Sequence, residues 1–309
     1  IKYRRYYIYY LLKSAILVMR LLPLGVLKGI AWSLGRLAYY ALPWYSGITS
    51  ENLARALDIS VWEAKKAARD VFSNVAMNGA EWIKLSILRP DDLGKLITET
   101  EGMENLEEAL REGKGIIIIA SHFGNWELMP MFIRNRGYHG AIVARRIYFY
   151  KYDKLITRLR RRFNVSVIYR DESPRKILKV LKENGIMGIV PDQDVDSIEG
   201  VFVDFFGMPA YTPTAPVKLA MATGAKMIPA FVVRKDDGTH KLVVDKSINI
   251  EPGRKGEEMI IKYTQEWTKV LERYVRMYPG QWVWMHKRWK TAKTAPDRDS
   301  GQTIEVGLS

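Results

Sequence analysis

The chain has 309 residues, 48% of them apolar and 27% charged, which suffices for one large folded domain with an accessory segment. It contains no cysteine, which excludes disulfide bonds, thiolate metal sites and a cysteine nucleophile. The formal net charge of +14 favours anionic partners such as an acidic protein, a phosphorylated substrate or a bilayer surface. No nucleic-acid-binding motif is present, so we predict no nucleic-acid partner.

Residues 1–45 carry seven lysines and arginines, ten tyrosines and tryptophans, and no acidic residue. Pro23 divides them into two helical pieces, and no uncharged stretch reaches the roughly 18 apolar residues of a spanning helix. No cleaved signal peptide is predicted. The mixture favours helices that anchor the chain to an anionic membrane surface. Two alternatives are an apolar helical hairpin packed on the domain and a tilted single anchor whose Arg20 snorkels.

A helical accessory segment is predicted over residues 46–95. Thr49 or Ser50 can cap a short helix, and Ser60 with Glu63 forms a capping box that opens a longer one. The sequence Arg89-Pro90-Asp91-Asp92 ends this segment.

Strands and helices alternate over residues 96–290. The predicted strands are 96–100, 115–120, 140–144, 165–169, 186–190, 201–206, 227–233 and 242–247. The predicted helices are 103–111, 125–136, 150–162, 173–183, 214–223 and 256–277. This order predicts an α/β domain with a mainly parallel or mixed central sheet covered by helices on both faces. Residues 291–309 are polar and aperiodic, which predicts a disordered tail.

The four isoleucines at 116–119 are typical of a strand buried on both faces, and His122 follows them closely. Asn125 is predicted to cap the next helix and to place Glu127 in its first turn. Because His122 lies in the preceding loop, the two side chains can meet at the carboxyl edge of the sheet, where open α/β folds place their chemistry. The alternative is a partly buried histidine that bonds a backbone carbonyl.

A basic cluster follows the predicted strand 140–144. It begins with Arg145 and Arg146 and continues along a helix, where Arg158 and Arg162 are spaced i, i+4. Arginine suits bidentate binding of phosphate or carboxylate, although such a run is also compatible with a solvated helix face.

Carboxylates follow another apolar strand in Pro191-Asp192-Gln193-Asp194. Asp192 and Asp194 are compatible with a turn, with a Mg²⁺ or Ca²⁺ site, or with the positioning of an arginine or a substrate hydroxyl. Near the C-terminus, His286 is a second candidate base among Trp282, Trp284 and Trp289, which suit either a membrane interface or packing on the core.

These residues suggest a reaction. A neutral imidazole held by a carboxylate is a competent base for a hydroxyl group. The chain has no Gly-x-Ser-x-Gly elbow and no cysteine, so the simplest scheme is direct attack of an acceptor hydroxyl on an activated carbonyl, without an acyl-enzyme.

Five sequence blocks in order resemble the lipid A late acyltransferases, the lauroyl and myristoyl transferases among the H-x4-D/E glycerolipid-type acyltransferases. The blocks are Ser121-His122-Phe123-Gly124-Asn125-Trp126-Glu127, Thr157-Arg158-Leu159-Arg160, Pro191-Asp192-Gln193-Asp194, Phe205-Phe206-Gly207 and the run from Gln281 to Lys290. The resemblance implies that His122 is the base and Glu127 its partner, and that Arg160 and Asp192 are functionally important. Where this chain has Ala144-Arg145-Arg146, the family often has Tyr-Arg-Pro.

The resemblance further implies an inner-membrane enzyme whose catalytic domain lies on the cytoplasmic face. Such an enzyme transfers a fatty acyl chain from acyl carrier protein or coenzyme A to a hydroxyl of a phosphorylated glycolipid, without a cofactor or metal. We therefore assign six substrate-binding candidates: Asn125, Arg145, Arg158, Arg160, Asp192 and Asp194.

Three alternatives remain open at this point. One is an acyltransferase that modifies phosphatidylinositol mannosides or lysophospholipids. The second is a metal-assisted hydrolase that uses His122, Asp192 and Asp194. The third is a non-catalytic protein that binds anionic membranes.

Overall fold

The computed structural model describes residues 2–251 and 256–292, with side chains from residue 6 onward. Four helices precede the sheet: α1 (Lys2–Met19), α2 (Leu24–Ala41), α3 (Pro43–Leu57) and α4 (Val61–Leu85). Pro23 separates α1 from α2 as predicted, and the predicted capping box of Ser60 and Glu63 opens α4. None of the described helices has the length and apolarity that crossing a membrane requires.

Nine strands follow the first four helices. They are β1 (Ile97–Glu101), β2 (Ile116–Ile119), β3 (Gly140–Ala144), β4 (Ser166–Tyr169), β5 (Ile186–Ile189), β6 (Gly200–Phe205), β7 (Met208–Pro213), β8 (Lys226–Arg234) and β9 (His240–Val244). Seven form the central sheet in the order β1-β9-β8-β2-β5-β3-β4. Neighbouring strands are parallel except for the antiparallel pair β8 and β9, so the predicted mixed sheet is confirmed.

Helices cover both faces of this sheet. They are α5 (Met103–Arg111), α6 (Leu128–Asn135), α7 (Tyr150–Arg162), α8 (Arg175–Lys182), α9 (Ala215–Thr223) and α10 (Glu257–Met277). Because side chains alternate along a strand, Ile117 and Ile119 of β2 belong to a core cluster that includes Trp267 of α10. Ile116 and Ile118 point the other way, into a cluster with α5 and α6. The predicted α/β fold class is confirmed.

Three local predictions differ from the structure. Thr49 and Ser50 do not cap a helix, because α3 already begins at Pro43 and both residues lie inside it. Predicted strand 201–206 is β6, but it pairs with the unpredicted β7 in a separate hairpin. Phe206 and Gly207 form its two-residue turn with φ +58 and +74, and phenylalanine is an unusual residue for a conformation that favours asparagine or glycine. The helix predicted to start at Asn125 starts at Leu128 instead. Most of the predicted tail, residues 293–309, lies outside the described residues, and the predicted domain boundaries stay a prediction.

Candidate active site

His122 lies at the carboxyl edge of the central sheet. β2 is buried between β5 and β8, and the chain leaves it through Ala120 and Ser121 to reach the histidine. The His122 carbonyl accepts a hydrogen bond from the Val283 amide (3.0 Å), which fixes the backbone of the loop. Its side chain is 24% exposed and lines a large cavity. The sheet therefore presents one edge of the imidazole to the cavity, as predicted for a parallel strand.

Asp192 is the residue that holds the imidazole. It follows β5, the neighbour of β2, and is 1% exposed. Its Oδ1 lies 2.7 Å from His122 Nδ1, and its Oδ2 accepts bonds from the His122 amide (2.8 Å) and from Trp282 Nε1 (2.9 Å). The carboxylate thus fixes the tautomer with the proton on Nδ1, so that Nε2 is the unprotonated nitrogen.

The electrostatics of the pair favour charge on both partners. Burial alone would lower the pKa of His122, but the charge and hydrogen bond of Asp192, with a smaller contribution from the Glu127 charge, raise it above its ordinary value. Burial likewise opposes ionisation of Asp192, yet the charge of His122 and the hydrogen bonds from His122 and Trp282 lower the pKa of Asp192 to about 2. The pair therefore stabilises an imidazolium at His122.

Glu127, the predicted partner of His122, bonds Arg160 instead of the histidine. Its carboxylate accepts two bonds from Arg160 of α7, from Nε to Oε2 (3.0 Å) and from Nη2 to Oε1 (2.5 Å). This correction has a topological reason: the strand adjacent to β2 delivers Asp192 directly to Nδ1, while Glu127 faces α7. Glu127 still supports a positive His122 through its charge.

Asn125 does not cap α6, and its side chain is buried away from the cavity. Its Nδ2 donates to Glu81 Oε2 of α4 (2.7 Å), and Glu81 is completely buried. Glu81 also pairs with Arg234 (2.5 Å), His240 (3.0 Å) and Lys28 (2.7 Å). Burial opposes the ionisation of Glu81, but His240 and Arg234 outweigh it and hold its pKa below the ordinary range.

This buried network fixes the loop that carries His122. Asn78 Nδ2 donates to the Gly124 carbonyl (2.6 Å), and the Gly124 amide donates to the Gln281 carbonyl (2.8 Å). Gly124 has φ +53, and a Cβ there would overlap the Val232 carbonyl oxygen. Asn74, Asn78 and Glu81 lie on one face of α4 at spacings of four and three residues. That polar stripe is the sequence signal that could have revealed the network.

Gln193 links His122 to the second histidine. Its Nε2 lies 2.7 Å from His286 Nε2 and 3.3 Å from His122 Nε2. Burial, together with the positive charge of His122, lowers the pKa of His286. His286 is therefore a neutral neighbour of the site, and the ring of Trp126 packs against His122 at 5.0 Å between centroids.

Asp194 does not line the cavity. Its two oxygens accept bonds from the amide (2.9 Å) and the hydroxyl (2.7 Å) of Thr291, so it fastens the chain after the tryptophan-rich run. Within residues 2–251 and 256–292, no group of three histidine, aspartate or glutamate side chains is arranged to hold a metal ion.

The predicted basic cluster is divided between two sides of α7. Arg160 faces Glu127 and the cavity of His122, whereas Arg158, about 200° away around the helix, lines a different cavity. Arg145 is exposed at the mouth of the first cavity, where Arg170 also lies. In the part of the chain that the structure describes, neither Arg145 nor Arg170 forms an ion pair.

The cavity of His122 has a volume of about 1000 Å³. Most of its lining is apolar and comes from β2, β3, β5, α6 and α9, for example Ile118, Ile142, Ile189 and Leu219. Polar groups gather around His122 and at the mouth. An apolar pocket with a few convergent polar groups is typical of a site that binds a long apolar ligand and reacts at one end of it.

The fold and this site define an α/β enzyme with a histidine–aspartate pair at the carboxyl edge of its sheet. The sequence model of the bacterial lipid A biosynthesis acyltransferases matches residues 1–291. The chain belongs to this family, as the sequence blocks predicted, and is an O-acyltransferase of the lipid A biosynthesis type.

Several curated proteins are similar over much of their length. The lipid A biosynthesis lauroyltransferase of Escherichia coli K12 is 28% identical over 292 residues, which cover 93% of this chain and 92% of that protein. The lipid A biosynthesis palmitoleoyltransferase of the same organism is 25% identical over 285 residues, 87% of each chain. A phosphatidylinositol mannoside acyltransferase of Mycobacterium tuberculosis H37Rv is 33% identical over 137 residues, 41% of this chain and 42% of that protein.

Proposed function

We propose that this protein transfers a fatty acyl chain from an acyl thioester to a hydroxyl of a phosphorylated glycolipid such as a lipid A precursor, with His122 as the general base. The observation that carries the proposal is the His122–Asp192 pair beside an apolar cavity of about 1000 Å³, a volume large enough for an acyl chain. The names of the relatives with 28% and 25% identity support the acceptor class.

His122 begins the reaction. Nε2 takes the proton of the acceptor hydroxyl as the hydroxyl oxygen attacks the thioester carbon, and Asp192 stabilises the resulting imidazolium. When the tetrahedral intermediate collapses, the carbon–sulfur bond breaks and the imidazolium returns the proton to the leaving thiolate. The ester and the free thiol are the products, so no group remains on the enzyme. We assign the Gln193 amide, whose nitrogen lies 3.3 Å from Nε2, as the donor to the oxyanion of the tetrahedral intermediate.

The basic residues bind the anionic substrates. Glu127 holds Arg160 by two hydrogen bonds, which keeps a guanidinium at the cavity wall in one orientation. Arg145 and Arg170 have exposed guanidinium groups at the mouth and suit the phosphates of the acceptor or of the donor. The donor is acyl carrier protein or coenzyme A, and the scheme needs no cofactor.

We infer that the first three helices bind the membrane. They expose many large apolar side chains, including Tyr7 (78%), Leu11 (72%) and Leu21 (85%). The absence of acidic residues from positions 1–45 favours an anionic leaflet. We therefore place the protein on the inner membrane with its α/β domain on the cytoplasmic side.

Product analysis tests the reaction. Purified protein in detergent is incubated with a lipid A precursor and either acyl carrier protein or coenzyme A thioesters of several chain lengths, and products are identified by mass spectrometry. Wild type should add one acyl chain, His122→Ala and Glu127→Ala should add none, and His139→Ala is the control because that histidine is exposed. Acyl transfer by a folded His122→Ala protein would refute the assignment of His122 as the general base.

A second acceptor has one observation in its favour. The 33% identical segment shared with the phosphatidylinositol mannoside acyltransferase shows a higher identity than either lipid A enzyme, although over less than half of the chain. The same assay with phosphatidylinositol mannoside as acceptor distinguishes the two. Acylation of the mannoside in preference to the lipid A precursor would assign the second acceptor.

A further inference from the structure

A second cavity of about 610 Å³ lies among α1, α2, α4 and α7. Its walls are apolar and partly open to solvent: Leu12, Ile30, Leu34 and Leu155 each keep more than a third of their surface exposed. The small residues Ala15, Ala31, Ala76, Gly79 and Ala80 line it as well. We call this cavity the helix groove.

The helix groove exists because α1 is fastened near its two ends. Near its N-terminus, Tyr6 and Tyr9 pack against Phe149, and Lys151 Nζ donates to the Tyr10 hydroxyl (2.8 Å).

At the other end, Arg20 Nε donates to Ser86 Oγ (2.8 Å) and Lys84 Nζ donates to the Arg20 carbonyl (2.6 Å). Between these anchors, α1 faces the small side chains of α2 and α4 and leaves the space unfilled. Water in contact with these apolar walls is unfavourable, so an apolar ligand that displaces it would stabilise the groove.

The polar groups that line the helix groove are Ser86 and three arginines. Arg20 and Arg162 each use part of the guanidinium within the protein, on Ser86 and on the Leu88 carbonyl. Arg158 is exposed, and no hydrogen bond or ion pair engages it within residues 2–251 and 256–292. A guanidinium carries five N–H donors, so this edge of the groove attracts a phosphate.

The helix groove is separate from the active site although both use α7. Ile156 and Arg160 line the cavity of His122, whereas Leu155, Arg158 and Leu159 line the groove. The two sets occupy different faces of the helix. A ligand of the groove therefore does not occupy the space next to His122.

We propose that the helix groove binds one acyl chain of an anionic phospholipid from the bilayer, with its phosphate on Arg158. An alkyl chain has no polar atoms to satisfy, whereas a peptide segment would bring backbone groups that the apolar walls cannot pair. A sugar headgroup would need several hydroxyl partners, and the rim offers little besides arginines. The exposed apolar side chains of α1 and α2 continue the groove toward the proposed membrane surface.

Photolabelling tests the groove without measuring enzyme activity, so its outcome is independent of the proposed function. The probe is phosphatidylglycerol with a diazirine near the end of one acyl chain, mixed into vesicles with the full-length protein. Labelled peptides are mapped by mass spectrometry. The expected result is labelling of peptides that contain Ala15, Ile30 or Ala80.

Gly79→Phe is the variant that fills the groove. No atom lies within 4 Å of a Cβ built on Gly79, and phenylalanine has a higher helix propensity than glycine, so the substitution is compatible with the fold. Labelling should fall to background. Gly47→Phe is the matched control, because Gly47 also lies in a helix with open space around it, in α3 and outside the groove. Its labelling should equal that of wild type.

Arg158→Gln keeps the fold and tests the phosphate contact. Loss of a hydrogen bond to a charged group should weaken competition by unlabelled phosphatidylglycerol roughly tenfold, whereas Arg161→Gln on the same helix should not. Unchanged labelling in Gly79→Phe overturns the proposal. The proposal is also overturned if unlabelled phosphatidylcholine reduces the labelling as strongly as unlabelled phosphatidylglycerol does. It is overturned as well if the lipid A precursor reduces the labelling and phosphatidylglycerol does not, which would assign the groove to the acceptor.

Discussion

The substitution Asp192→Asn separates the role of this carboxylate from that of Glu127. Asp192 accepts three hydrogen bonds, from the His122 ring, the His122 amide and Trp282 Nε1, and all three partners are donors. An asparagine of nearly the same shape must point its NH₂ group at one of them. We expect the fold to survive, with an unfolding free energy lower by about 1–3 kcal/mol for one mismatched buried donor.

The effect on catalysis should be larger than the effect on stability. Without the carboxylate, His122 loses the group that fixes its tautomer and stabilises its charge, and comparable losses in histidine-based enzymes reach roughly 10⁴-fold in turnover. That factor corresponds to about 5 kcal/mol of transition-state stabilisation. The measurement is the initial rate of acyl transfer under single-turnover conditions, with folding checked by circular dichroism.

The pH profile supplies the second readout. His122 acts when neutral, so the wild-type rate should fall as pH decreases through its raised pKa. Without the Asp192 charge, burial is the main influence on His122, and burial lowers its pKa. The acidic limb of the pH–rate profile, where the rate falls as His122 is protonated, should therefore move to lower pH in Asp192→Asn. Asp194→Asn is the control, because Asp194 is also buried but bonds Thr291, and it should cost much less activity. A rate for Asp192→Asn within tenfold of wild type, with the acidic limb of the pH–rate profile at the wild-type pH, would refute the assignment of Asp192 as the partner of His122.

Three further substitutions test the supports of the site. Glu127→Gln should lower the transfer rate roughly 10- to 100-fold, because Arg160 loses a charge-assisted pair; steady-state kinetics with an unchanged rate would contradict it. Glu81→Ala should lower the unfolding free energy by about 3–5 kcal/mol in urea, since it leaves buried cations without their carboxylate; a loss under 1 kcal/mol would argue against the network. Gly124→Ala should reduce both activity and melting temperature, because its Cβ would overlap the Val232 carbonyl at a positive φ; a wild-type melting curve would contradict that.

The pH dependence of stability follows from the same pair. The pKa of Asp192 in the folded protein is depressed to about 2, so its contribution to stability is present above its unfolded value near 4 and is lost as pH falls toward 2. The pKa of His122 is raised, so its contribution is present below about 6.5 and is lost as pH rises through the folded value. Urea unfolding of wild type and Asp192→Asn should therefore differ most between about pH 4 and 6.5. An equal difference at pH 3 and pH 5 would contradict this coupling.

The sequence by itself determined the α/β class, the position of His122 and the capping box at Ser60. These features depend on local patterns: four buried isoleucines require a strand covered on both sides, and the histidine three residues after the strand lies at the carboxyl edge of the sheet. The blocks around His122, Arg160 and Asp192 were also sufficient to indicate the family.

Only the tertiary structure decided which carboxylate serves the histidine. Asp192 is 70 positions away from His122, and the order of strands in the sheet makes their ends adjacent. Sequence proximity favoured Glu127, but the local backbone turns that side chain toward α7. Likewise, Glu81 on α4 meets Asn125 and Arg234 only after the helices pack on the sheet. The local sequence determines the strands and helices, whereas distant hydrogen-bond partners depend on which ends of strands and helices the topology brings together.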